Sequence, residues 1–249
     1  MIAIMNQKGG VGKTTTAFNL SYGLTMKNKK VTVLDIDPQG HLTTCFGIDM
    51  RSVPGLDAVL LDGAKIEEVM IEVRENLILI PSGPRLGEVE FLNKGGANRG
   101  MLLKNALDGK MTDQDYVIMD CPPSIAMLGM NALIAADEVM IPVTGDYLAL
   151  HGVSRLMSVF RHIEKGLRHN LKKWVVVTRY QERRRLAQEV RGKLLEYFPG
   201  QVLQTHIREN VTLAESPSFG KTVFEFKNKS NGAEDYLSLT EDLISRRVH

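Results

Sequence analysis

The stretch Lys8-Gly9-Gly10-Val11-Gly12-Lys13-Thr14-Thr15 follows directly on an apolar run, Met1 to Met5, and its residue types are those that bind phosphate. Glycines let successive backbone N–H groups turn inward on a β-phosphate, a lysine reaches the β- and γ-oxygens, and a hydroxyl ligates Mg²⁺. Gly9, Gly10, Val11 and Gly12 would supply the backbone of such a loop, Lys13 its cation, Thr14 the metal hydroxyl and Thr15 a contact on the α-phosphate side. The pattern G-x-x-x-x-G-K-[ST] is nearly met: Gln7 stands where its first glycine belongs, and Lys8 comes just behind. Lys8 is one lysine more than the cradle requires.

Carboxylates elsewhere could complete a nucleotide site. Asp35 and Asp37 stand two residues apart at the end of a strand-like run, so in extended geometry both project to one side, where they can organise water and Mg²⁺. Asp120 ends a second apolar run and could order Mg²⁺-bound water; its other reading is a cap on the helix that follows. Cys45 and Cys121 lie far apart with no metal-type spacing, and read as two free thiols in a reducing cytosol.

The spelling KGGVGKTT, with its second lysine ahead of the glycines, resembles the deviant Walker A motif of the ParA/MinD family of ATPases. Leu34-Asp35-Ile36-Asp37-Pro38-Gln39-Gly40 is similar to the family's first switch, and Tyr116 to Ser124 to its Walker B strand and following loop. Asn210 to Lys221 is similar to its late loop and helix, so the likeness spans nearly the whole chain. It implies an ATPase with ATP and Mg²⁺ as cofactors and slow turnover. By resemblance Lys13 and Asp37 are catalytic, Asp37 positioning the attacking water, while Thr14, Asp37 and Asp120 attend the metal and Asp35 supports the switch. Lys8, also catalytic, crosses a nucleotide-sandwiched homodimer to the partner's phosphates, as an arginine finger does, which makes dimerisation depend on ATP. For the base, the family uses the strand end at Thr178-Arg179 and the loop that begins at Ile207-Arg208. There the likeness thins, since close relatives read Pro-Arg-Asn-Val-Arg where this chain reads Arg208-Glu209-Asn210-Val211-Thr212.

Strand-like runs at Met1 to Met5, Val31 to Ile36, Leu77 to Ile80, Tyr116 to Met119, Glu138 to Val143, Trp174 to Val177 and Val202 to Thr205 must position these residues. They are apolar without strict alternation, as suits strands buried on both faces. Helical patterns at Lys13 to Met26, Ala126 to Ala136, His151 to Arg168, Leu186 to Phe198 and Ala233 to Ser245 alternate with them. The order predicts an α/β fold of P-loop NTPase type, a mostly parallel twisted sheet with helices on both faces and ligands beyond the carboxyl ends of the strands. A chain of 249 residues with 43% hydrophobic content fits one such domain over residues 1–249. A domain without an N-terminal helix-turn-helix extension is expected, and the glycine-rich segment Pro84 to Gly100 is the expected mobile region.

Charge is divided unevenly. Residues 1–150 carry 13 Lys and Arg against 18 Asp and Glu, whereas residues 151–249 carry 18 against 11, so the second part is the candidate polyanion face. ParA-type members of the family bind non-specific double-stranded DNA, and here Arg183, Arg184 and Arg185, with Lys221, Lys227 and Lys229, are the candidate contacts. MinD-type members bind membrane through a C-terminal amphipathic helix, but the last helix here carries Glu234, Asp235, Glu241 and Asp242 and reads as packed on its own domain. The resemblance thus implies a cytoplasmic, nucleoid-associated positioning protein, with a ParB-like or cargo-adaptor partner that stimulates hydrolysis. A metabolic or metal-cluster-assembly ATPase of the same superfamily is the alternative, although no CxxC is present.

Overall fold

The structure is a computed structural model that describes residues 1–92, 96–167 and 170–249, the side chains of 96–97, 147–152, 154–155 and 167 excepted. Its strands are β1 (Ile2–Ile4), β2 (Val31–Asp35), β3 (Ile71–Arg74), β4 (Leu77–Ile80), β5 (Tyr116–Asp120), β6 (Glu138–Thr144), β7 (Lys172–Tyr180) and β8 (Val202–Arg208). Its helices are α1 (Lys13–Thr25), α2 (His41–Cys45), α3 (Leu56–Asp62), α4 (Leu102–Leu107), α5 (Met127–Ala135), α6 (Tyr147–Leu167), α7 (Arg185–Tyr197), α8 (Val211–Glu215), α9 (Val223–Lys227) and α10 (Asn231–Ser245). The strands form one sheet in the order β3-β4-β2-β5-β1-β6-β7-β8, parallel throughout except for the β3–β4 pair.

The inner parallel strands are buried on both faces, so their residues divide by parity between two cores. Ala3, Leu34, Val117 and Met119 face a layer made by α3, α4, α5, α6 and α7. Ile2, Ile4, Val31, Val33 and Ile118 face the opposite layer, made by α1, α2, α9 and α10. Asp35 has the parity of Val33, and Asp120 that of Ile118, so both carboxylates fall on the α1 side of the sheet. Strand register sets Asp35 beside Asp120, and Asp120 beside Ile4 at the end of β1. Three carboxyl ends thereby meet under the first turn of α1.

α1 is buried on most of its surface, between the sheet and α10. Gly23 permits this, because a Cβ there would lie 2.4 Å from the Thr240 hydroxyl oxygen. α10 turns Tyr236, Leu239 and Leu243 into the core, and among the described residues no helix is long and apolar enough to cross a membrane.

The sequence-based expectation omitted β3, a short edge strand whose residues are at most half-buried and which pairs antiparallel through an irregular register. The expected helix His151 to Arg168 begins earlier, at Tyr147, and Arg168 lies outside the described residues. Within Pro84 to Gly100, expected to be mobile, a 3₁₀ turn runs from Leu86 to Phe91 with Leu86 and Val89 fully buried; residues 93–95 lie outside the described residues.

Candidate nucleotide site

Gly10 and Gly12 adopt φ of 73° and 90°, a region that admits glycine and strains other residues, and a Cβ built on either would point into open space. Gly12 is the N-cap of α1, which has neither a capping side chain nor an acidic residue in its first turn. The first N–H groups of α1 are thus left for an anion. The loop is anchored from beneath. Asn6 donates to the Pro142 carbonyl of β6 at 2.7 Å and accepts the Lys8 N–H at 3.0 Å, and the Thr178 hydroxyl donates to the Val11 carbonyl at 2.8 Å.

Lys13 is 8% exposed, and burial lowers its basicity while the charges of Asp120, Asp37 and Cys121 oppose that loss. Asp120 is buried with neither carboxylate oxygen hydrogen-bonded; burial, reinforced by the nearby Asp35, pushes its carboxyl well above the usual range, and Thr14 is the first influence to oppose this. Burial likewise pushes Asp35 up to about 6, with Thr43 opposing. Asp35 accepts the N–H and the hydroxyl of Thr43, both at 2.7 Å, and so caps α2 from the strand below it. Asp37 accepts the Gln39 N–H at 3.0 Å in the loop above.

The orphaned Asp120 oxygens beside Thr14 and Lys13 suit a divalent cation with phosphate. Among the described residues no group of three or more His, Cys, Asp or Glu could hold a metal by itself. A Mg²⁺ ion here would therefore complete its shell with water and phosphate oxygens, as small hard cations commonly do. A cavity of about 820 Å³ opens over the loop, lined by Gly9, Gly10, Gly12, Lys13, Thr14, Thr15, Asp37, Thr178, Arg179 and Arg208 among others. All the expected nucleotide contacts except Val11 line it; Val11 is fully buried and offers the loop only its backbone. Gln39, His41, Pro123, Glu209, Asn210 and Tyr236 also line the cavity. Sequence spacing gave no signal for Tyr236, which reaches the site from α10 and holds the Thr16 hydroxyl at 3.1 Å.

The family model AAA_31, described as an AAA domain, matches residues 1–173. The chain is 39% identical to the chromosome partitioning protein ParA of Myxococcus xanthus over 99% of its own length and 88% of the relative's. To the sporulation initiation inhibitor protein Soj of Bacillus subtilis it is 39% identical, over 98% of each chain. The chain belongs to the ParA/Soj family of P-loop ATPases. Among solved structures, the ADP- and magnesium-bound cobyrinic acid a,c-diamide synthase of Mycobacterium smegmatis superposes with a TM-score of 0.85 at 29% identity, covering 98% of this chain and 94% of that one.

Two residues of this ParA-type site are held by acidic partners within the subunit. Arg208, expected to hold the base, lines the cavity, but its guanidinium is engaged by Asp235 through Nε at 2.9 Å and Nη2 at 2.6 Å, with Glu234 at 3.2 Å. Its Nε and Nη2 edge is thereby turned to α10. Lys8, for which the loop itself offers no task, makes a two-oxygen contact with Asp146 at 2.8 and 2.6 Å, and Thr144 donates to the same carboxylate. It lines a second, polar cavity of about 210 Å³ with Gly145, Asp146, Gln181 and Arg184. Gly9, Gly10, Arg179 and Glu209 line both cavities and so form the wall between them. In that wall Arg179 has φ of 49°, strained for a residue with a Cβ, and donates to Glu209 at 3.1 Å.

The basic residues expected to meet DNA divide between the layers of this ParA-type chain. Arg183, Arg184 and Arg185 are exposed just before and at the start of α7, and Lys221, Lys227 and Lys229 are exposed around α9, on the other side of the sheet. Arg185 is loosely paired with Glu189 at 3.3 Å. Arg184 lines the cavity that holds Lys8.

Proposed function

We propose that this chain is a partition or positioning ATPase that dimerises on ATP, rides on non-specific DNA and is released when a cargo-bound partner stimulates hydrolysis. The observation that carries the reading is the placement of Lys8 on the far side of the loop from the nucleotide cavity, facing Asp146 instead of the phosphates of its own subunit. Its side chain is 35% exposed and that of Asp146 is 43% exposed, so the pair contributes at most about 1 kcal/mol and is readily exchanged for a stronger anion. A partner's triphosphate is such an anion.

Within one subunit, the N–H groups of Gly9 to Thr15 and the Lys13 ammonium bind and orient the phosphates. Thr14 and Asp120 would hold Mg²⁺, which would supply neutralisation of charge on the phosphate oxygens. Asp37, at the mouth of the cavity, positions the attacking water and accepts its proton. Phosphoryl transfer needs positioning and charge stabilisation more than a strong base.

Light scattering of the parent and Lys8→Ala, in ATP and in ADP, tests the trans role. Near-parental ATP binding with loss of the ATP-dependent dimer is expected, and a variant that dimerises like the parent defeats the reading. The likeness to cobyrinic acid a,c-diamide synthase favours the alternative, a metabolic ATPase. The higher identity to ParA and Soj over the full chain weighs against it.

A further inference from the structure

The loops that follow Asp37 and Asp120 each run into a helix that lacks a cap of its own. Neither Gly40 before α2 nor Ala126 before α5 supplies a side-chain hydrogen bond. α2 receives Asp35 from β2. α5 receives Glu90, whose carboxylate accepts the N–H of Met127 at 2.6 Å and of Leu128 at 3.2 Å. A carboxylate there satisfies two orphan donors and complements the positive end of the helix.

Glu90 belongs to the 3₁₀ turn Leu86–Phe91, whose three-residue repeat gives it three faces. Leu86 and Val89 fix the first in the core, while Glu88 and Phe91 leave the second in solvent. Gly87 and Glu90 make the third. A Cβ on Gly87 would lie 3.7 Å from the Pro38 ring, so this face lies beside the residue next to Asp37 at one end and caps α5 at the other.

We propose that this turn is a bridge that ties the loop after Asp37 to the loop after Asp120, and that Glu90 is its positioning residue. By holding the first turn of α5, Glu90 fixes residues 121–126, including Pro123 in the nucleotide cavity, relative to Pro38. The bridge rests on the roles assigned above to Asp37 and Asp120.

Steady-state turnover and ATP affinity of the full chain test it, using Glu90→Ala and Glu90→Gln. Glutamine keeps an acceptor oxygen for the helix. Glu90→Ala is expected to lower kcat roughly ten-fold while KM and ATP affinity stay within about two-fold of the parent, and Glu90→Gln to recover most of the loss. Parental kcat in Glu90→Ala overturns the bridge; so does a fall in ATP affinity matching that in kcat, or a Gln variant as slow as the Ala variant. Should Glu90→Ala not fold, Gly87→Phe sets a ring against Pro38, where a bare Cβ would meet it only at an ordinary contact distance of 3.7 Å, without touching the α5 cap. The same loss of kcat at unchanged affinity is expected there, and a parental rate overturns the bridge equally. An error in the role of Asp37 is read separately, as parental turnover in Asp37→Ala.

Discussion

Lys13 is largely buried, and Asp120 and Asp37 are the first charges that offset the loss of its hydration. An ammonium so placed loses little more hydration on meeting phosphate, and it is already aimed by the start of α1. Replacing it by alanine is expected to weaken ATP binding by about 2–3 kcal/mol, roughly 30- to 150-fold, the range of a hydrogen bond to a charged group. Calorimetry reads this directly, and near-parental affinity would place the phosphates elsewhere. Asp37 differs in kind. Among the described residues its carboxylate holds only the Gln39 N–H in its own loop, so its removal disturbs little structure. Asp37→Ala is expected to keep ATP affinity, lose turnover roughly a hundredfold or more, and accumulate as a dimer in ATP. Sizing chromatography and phosphate release together check it; turnover at the parental rate removes Asp37 from the reaction.

At the scale of elements, strand parity does the positioning. The alternation that sends Val33 and Ile118 toward α1 also sends Asp35 and Asp120 there, and this was legible in the sequence once the apolar runs were read as strands. The glycine loop, the helix after it and the seven apolar strand runs were legible for the same reason: each carries its own local pattern. The tethers between elements were not. Asp35 with Thr43, Glu90 with α5, Arg208 with Asp235 and Lys8 with Asp146 join residues that no periodicity relates, the last pair 138 positions apart. Arg208 shows the consequence, since a residue expected at the base lines the cavity while also being tied to the last helix. The α2 tether is the most testable. Thr43 is fully buried and donates twice to Asp35, and its hydroxyl also lies 3.3 Å from the Ser82 N–H. Thr43→Val keeps the shape and the backbone bond but leaves Asp35 short of one donor, and is expected to destabilise the apo protein by about 1–3 kcal/mol. Urea denaturation measures it; an unchanged midpoint would mean that the loop after Asp37 is held by other contacts.

For the whole molecule, the sheet separates two basic groups that the sequence presents as one excess of charge. The arginines before α7 lie at the carboxyl end of β7, next to the cavity that holds Lys8, whereas the lysines around α9 stand on the other layer. The arginines are therefore the group whose arrangement dimerisation at Lys8 would change, and they are the better candidates for ATP-dependent DNA contact. Arg184 shares that cavity, so its removal touches both dimer and DNA, whereas Arg183 and Arg185 face solvent. The Arg185–Glu189 pair is too exposed to hold Arg185 back from a phosphate. Replacing Arg183 and Arg185 together by glutamate is expected to abolish ATP-dependent binding to unrelated duplexes while leaving the dimer and the unstimulated ATPase rate intact. Each phosphate contact contributes about 0.9 to the slope of log affinity against log salt, so replacing the pair by alanine should lower the slope by roughly 1.8. A salt titration in ATP and in ADP measures both effects. If the glutamate variant binds DNA like the parent, or the slope of the alanine variant is unchanged, the contact surface belongs to Lys221, Lys227 and Lys229 on the opposite layer, and the arginines serve the dimer alone.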